Sequence, residues 1–88
     1  MRIAVLGAGR IGRIHGLNVA NRPGVELVAV ADPLAPAAEA LAKATGAEVR
    51  SVEAAATAKD VDAVVICTPT TTHADLIEKA ARAGKAIF

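Results

Sequence analysis

The chain has 88 residues, enough for a single small domain that buries roughly 60–65% of its unfolded surface. Hydrophobic residues make up 53%, with 22 alanines, yet Phe88 is the only aromatic; that excludes base-stacking nucleic-acid modules and suits thin aliphatic helix-on-sheet layers. Ten Lys and Arg against nine Asp and Glu leave a formal charge of +1, and Cys67 is the single cysteine, so neither a basic nucleic-acid footprint, a polybasic membrane anchor nor an internal disulfide is expected.

Met1-Arg2 leads into only four apolar residues, Ile3–Leu6, before Gly7. That run is too short for a secretory core or a membrane span, and a cytoplasmic location is the expectation. It is the right length for a first strand, Arg2–Leu6. The pattern Arg10–Asn21 predicts a helix, with Ile11, His15 and Val19 as an apolar stripe flanked by Gly12 and Gly16. Val25–Ala31, between Pro23-Gly24 and Asp32-Pro33, reads as a second strand. Pro36–Thr45 reads as a helix that Pro36 starts and Gly46 ends. Glu48–Ser51 is a weaker strand and Val52–Ala58 a short helix. Ala63–Cys67 is a strand closed by Thr68-Pro69. A last helix is predicted over Ala74–Ala83, with Thr72 and Asp75 as its capping pair, basic residues Lys79, Arg82 and Lys85 near its end, and Gly84 as terminator. Ala86–Phe88 opens a final strand. Continuous apolar runs alternating with helices imply an α/β fold: a Rossmann-type open parallel sheet, ordered 3-2-1-4-5, with helices on both faces.

Gly7-Ala8-Gly9-Arg10-Ile11-Gly12 spells GxGxxG. The motif is common alone, but here it follows a strand and opens a helix, the context that makes it a dinucleotide signature. Gly7 would allow the tight turn, Gly9 would let a pyrophosphate reach the backbone, and Gly12 would let the helix pack closely. The helix start adds unpaired N–H groups and roughly half a positive charge. A tight turn with no ligand is the plainer alternative. Asp32 lies twenty residues beyond Gly12, at the end of the second strand. A carboxylate there can accept hydrogen bonds from an adenosine ribose, or it can simply serve the turn before Pro33. It would repel a 2′-phosphate, and no Arg or Lys within Pro33–Pro36 would receive one, so NAD is expected in preference to NADP.

Ligands on open α/β sheets bind outside the carboxyl ends of the strands, where strand order reverses. Thr68, Pro69 and Thr70 therefore belong beside the glycine turn, as cofactor contacts or as a strand stop. His73 in the following helix is a further candidate contact. His15, on the apolar stripe, reads either as a core or interface histidine or as a ligand contact. Cys67 is most simply a small buried residue. Neither histidine has partners at metal-binding spacing, so no metal site and no catalytic residue is assigned.

Three segments together, AVLGAGRIGRIHGLNVA (Ala4–Ala20), VAVADP (Val28–Pro33) and DAVVICTPTTTHADLIEKAARAGKAIF (Asp62–Phe88), resemble the amino-terminal part of the glucose–fructose oxidoreductase, inositol dehydrogenase and MocA (Gfo/Idh/MocA) family. They look closest to its inositol 2-dehydrogenase branch. The resemblance spans the chain. It implies that Gly7, Gly9, Arg10, Ile11 and Gly12 form the pyrophosphate loop, that Asp32 is the ribose acid, and that Thr68, Pro69 and His73 run past the nicotinamide. It also implies NAD-dependent hydride transfer on a polyol or sugar, with an acid/base lysine in a Glu-Lys-Pro motif expected after the strand that Ala86 opens. The family's second, substrate-holding domain would also lie beyond Phe88. Residues 1–88 then read as an incomplete NAD-binding domain, binding cofactor without chemistry; the alternative is a stand-alone or designed minimal Rossmann module. A homo-oligomer is expected, formed through a sheet edge or exposed apolar surface.

Overall fold

A computed structural model describes residues 1–67 and 70–88, the side chains of residues 70–73 excepted. Five strands, β1 (Arg2–Leu6), β2 (Glu26–Ala31), β3 (Glu48–Val49), β4 (Ala63–Ile66) and β5 (Ala86–Ile87), alternate with four helices. These are α1 (Arg10–Ala20), α2 (Ala35–Thr45), α3 (Val52–Thr57) and α4 (Thr70–Arg82). All pairings are parallel and the order is β3-β2-β1-β4-β5, as the alternation predicts.

The sheet is covered on both faces, which explains why its strands are continuously apolar. Ala4, Leu6, Ala29, Ala31 and Val64 pack with Ala55 and Ala56 of α3 and Leu76 and Ala80 of α4. On the other face, Val5, Leu27 and Val30 pack with Leu41 and Ala42 of α2. Alanine dominates these contacts because helices sit close to the sheet and leave little room for larger side chains.

Helix α1 packs differently from the predicted stripe. Its buried residues are Gly12 and Gly16, whereas Ile11 is 57% exposed and His15 is also exposed. The reading of His15 as a core histidine is therefore corrected. A Cβ at Gly16 would stand 2.9 Å from Leu41 Cδ2, so the missing side chain sets the approach of α1 to α2. Helix α4 begins at Thr70, four residues before the predicted start, which puts Thr72 inside the first turn rather than at the cap. Its far end is as expected. Gly84 takes φ 77, and the amides of Gly84 and Lys85 donate to the carbonyls of Ala81 and Ala80 in a Schellman arrangement.

Polar ties close the loops. Arg50 binds Asp60 through two 2.7 Å hydrogen bonds and Glu48 through one of 3.1 Å. Asp62 accepts from the Arg2 amide at 2.8 Å. Lys85, expected only to favour the helix end, instead donates to the carbonyls of Ala58 and Val61 before β4.

Candidate functional site

Strand register assembles the site. Leu6 pairs with Ala31 on one side and Ile66 on the other, so three strand ends stop at one level. The β1–β2 register skips Val28, a bulge that brings Ala31 opposite Leu6 and Asp32 level with the glycine turn. The amides of Gly7 and Cys67 donate to Ala31 and Leu6 carbonyls, both at 2.7 Å, and carry the alignment one residue past the strands.

The glycine turn divides into three positions with different physical demands. Gly7 has φ 100, a conformation that L side chains rarely adopt. Gly12 is buried, and a Cβ there would lie 1.8 Å from the Gly7 carbonyl oxygen, so its absence is a packing requirement. Gly9 answers to neither demand. It is the N-cap of α1 with φ −69, open to any residue, and a Cβ would meet nothing within 4 Å. Alanine would fit the turn; the space it would fill faces outward, above the start of α1. Gly9 has no side chain with which to cap α1, and no acidic residue sits in its first turn. Its opening amides therefore face that space with the positive end of the helix dipole behind them. Arg10 and Ile11 of the first turn are exposed beside it.

Asp32 stands at the adjoining strand end, half-buried. Its Oδ2 accepts from the Ala8 amide at 2.7 Å and its Oδ1 from the Leu34 amide at 2.8 Å. The turn role before Pro33 is thus real, and a second bond joins Asp32 to the glycine turn. A carboxylate has about four acceptor sites, and among the described residues these two bonds occupy two of them. Leu34, at the N-cap of α2, is 70% exposed beside it.

Thr68 and Pro69 lie outside the described residues; Thr70 and His73 fall in the first part of α4, with side chains outside them. Cys67, half-buried, closes β4 with its Cβ 3.5 Å from where a Gly12 Cβ would sit. Burial pushes its thiol up from the ordinary value, which favours the inert protonated form. Among the described residues no group of three or more His, Cys, Asp or Glu could hold a metal ion, and no helix is long and apolar enough to cross a membrane.

A second concavity, of about 360 Å³, lies on the α1 side of the sheet. Met1, Ile3, Val65 and Phe88 line it together with His15 of α1 and Arg22, which follows that helix. It shares no residue with the glycine turn. Its lining is mostly apolar, with His15, Asn18 and Arg22 as its polar members.

Comparison with known proteins agrees with this architecture. The chain is 60% identical over all 88 residues to inositol 2-dehydrogenase of Rhizobium meliloti (strain 1021), and 48% identical to scyllo-inositol 2-dehydrogenase (NAD(+)) of Bacillus subtilis (strain 168). It covers 100% of its own length but 27% of each relative. The crystal structure of scyllo-inositol dehydrogenase from Lactobacillus casei with bound NAD(H) and scyllo-inositol superposes with a TM-score of 0.91 at 31% identity, over 100% of this chain and 27% of that one. A 3-ketoreductase from Actinomadura kijaniata, solved with TDP-benzene and NADP, superposes at 0.89 with 30% identity, over 99% of this chain and 28% of that one. The family model described as "Oxidoreductase family, NAD-binding Rossmann fold" matches residues 1–88. With the strand order, the glycine turn and Asp32 in place, the chain belongs to the Gfo/Idh/MocA oxidoreductase family and corresponds to its NAD-binding Rossmann portion.

Proposed function

We propose that this chain binds NAD(H) across the carboxyl ends of its strands, as the cofactor-holding part of a dehydrogenase acting on a polyol or sugar of the inositol kind. The pyrophosphate lies over Gly7–Gly12 beside Arg10 and Ile11, the adenosine ribose meets Asp32, and the nicotinamide half extends toward Thr68, Pro69, Thr70 and His73. The observation that carries this reading is Gly9, a glycine required by neither its φ nor its neighbours, facing open space as the N-cap of α1. A phosphate is the ligand that such a position accommodates.

Bound NAD supplies a hydride acceptor at its nicotinamide ring. The protein's own part is to orient it. Backbone amides meet the phosphates, and the Asp32 carboxylate takes the ribose hydroxyls. We further propose that NAD is preferred to NADP. An unrestrained aspartate can swing away from a 2′-phosphate, whereas Asp32 cannot leave without unpairing two amides. The chain spans about 27% of the length of the curated relatives it matches, so the proposal concerns the cofactor. Titration of the chain with NADH, followed by nicotinamide fluorescence, tests the reading. Saturable enhancement is the expected result, and its absence at millimolar concentrations of protein would overturn it.

The chain also associates with a second copy, in this proposal, through the apolar concavity. Phe88 and Met1 are 68% and 58% exposed at its mouth, where Val65 of β4 and Val19 of α1 also line it.

A further inference from the structure

We propose that Asp32 is a positioning residue for the phosphate-binding turn, and that this role is separate from any contact with ribose. The inference rests on the cofactor reading above and adds a second function for the same carboxylate.

The Gly7–Ala8 peptide is held from both sides. Its carbonyl oxygen lies against Gly12, so closely that a Cβ there would be 1.8 Å away. Its N–H, on Ala8, donates to Asp32 Oδ2 at 2.7 Å. One residue earlier, the Gly7 amide is fixed on Ala31 at 2.7 Å, and the other oxygen of Asp32 is fixed on Leu34 at 2.8 Å. Between these anchors stands Gly7 at φ 100, a glycine with a wide choice of conformations once its neighbours release it. Ala8 itself is only 6% exposed, so its amide has little access to water as a substitute partner. Removing the carboxylate therefore frees a hinge at Gly7 whose rotation redirects the amides that follow, those that open α1. The acid that reads the adenosine end and the turn that holds the phosphates form one mechanical unit.

The test uses a ligand that cannot contact Asp32 through ribose: an NADH analogue whose adenosine ribose lacks both the 2′- and 3′-hydroxyls. Wild type and Asp32→Ala are titrated with NADH and with this analogue. A reader of ribose alone would bind the analogue equally before and after substitution. Positioning predicts that Asp32→Ala binds the analogue about tenfold or more weakly, the scale of one lost charge-assisted bond. Simple electrostatics predicts the reverse, because deleting a carboxylate near a pyrophosphate should help an anion to bind.

A ligand-free measurement keeps the two readings distinguishable. Hydrogen exchange by NMR should show the Ala8 amide exchanging about tenfold faster in Asp32→Ala, as a lost hydrogen bond of this strength implies, while Val5 and Val30 in the sheet stay protected. If the alanine variant does not fold, Asp32→Asn replaces it and gives the same direction with a smaller change. Equal binding of the analogue by both proteins, or an unchanged Ala8 exchange rate, overturns the positioning role. Failure of wild type to bind NADH overturns the cofactor reading instead, and the exchange experiment still decides the role of Asp32 in the turn.

Discussion

Two neighbouring glycines should respond oppositely to the same substitution. In Gly12→Ala the new methyl would lie 1.8 Å from the Gly7 oxygen and 2.7 Å from its carbon. Both are backbone atoms, so no side chain can move aside, and helix α1 must lift from β1. Overpacking of this kind costs about 1–3 kcal/mol or more. The whole chain is expected to have only about 4–13 kcal/mol of stability. With a shift of roughly 4–8 °C per kcal/mol in a domain of this size, Tm should fall by about 5–20 °C. In Gly9→Ala the methyl meets nothing within 4 Å at an ordinary φ of −69. Alanine is a poorer N-cap than glycine, but it also restricts the unfolded chain; the two effects are each about 0.5–1 kcal/mol and opposed. Tm should stay within a few degrees. Binding should not, because the methyl occupies the space assigned to the pyrophosphate. Loss of one charge-assisted amide bond weakens NADH about tenfold or more. Thermal unfolding by circular dichroism and fluorescence titration read the two effects separately. Unchanged NADH affinity in a folded Gly9→Ala protein would refute the argument that this glycine serves a ligand.

Cofactor preference follows the charge at position 32. Asp32→Asn should lower the ratio of NADH to NADPH affinity about tenfold, as removal of a close like charge implies, and an unchanged ratio would remove Asp32 from discrimination. Acid sensitivity has a defined direction. The Arg50 side chain holds Asp60 below its ordinary 3.8, and the Arg2 amide, followed by its side chain, does the same for Asp62. A carboxylate whose folded pKa is depressed adds stability above pH 3.8 and loses it as pH falls further. Tm measured between pH 6 and pH 2 should therefore drop less steeply below about pH 4 in the Asp60→Asn, Asp62→Asn double variant than in wild type; identical slopes would contradict the assignment. Light scattering should find the chain dimeric and the Phe88→Glu variant more monomeric. A monomer at high wild-type concentration would remove the proposed interface.

Much of this structure is legible in local sequence because its punctuation is local. Gly7, Asp32-Pro33 and Gly46 stop their elements where backbone chemistry says they should, and β1 spans the residues its apolar run predicts. What sequence misses is set by distant partners. The bulge at Val28 exists only relative to β1, so no pattern within β2 marks it. The buried face of α1 is built from the absence of side chains at Gly12 and Gly16, and a search for apolar periodicity selects Ile11 and His15 instead. A Thr72–Asp75 spacing suggested a cap, but the helix starts at Thr70, directly after Pro69. Lys85 reads as a helix-end charge until the fold brings Ala58 and Val61 within its reach. In the site itself, GxGxxG and Asp32 are visible as types. The hydrogen bond that couples them joins residues 24 apart and could only be found in three dimensions.

The central claim is that a dinucleotide lies across the strand ends on the glycine turn and Asp32. An NMR titration of the isotope-labelled 88-residue chain with NADH tests it most directly. Amide shifts should concentrate at Gly7–Gly12 and at Asp32–Leu34, with a weaker response to NADPH. Shifts centred on Met1, Val65 and Phe88, or no saturable shifts at all, would contradict it.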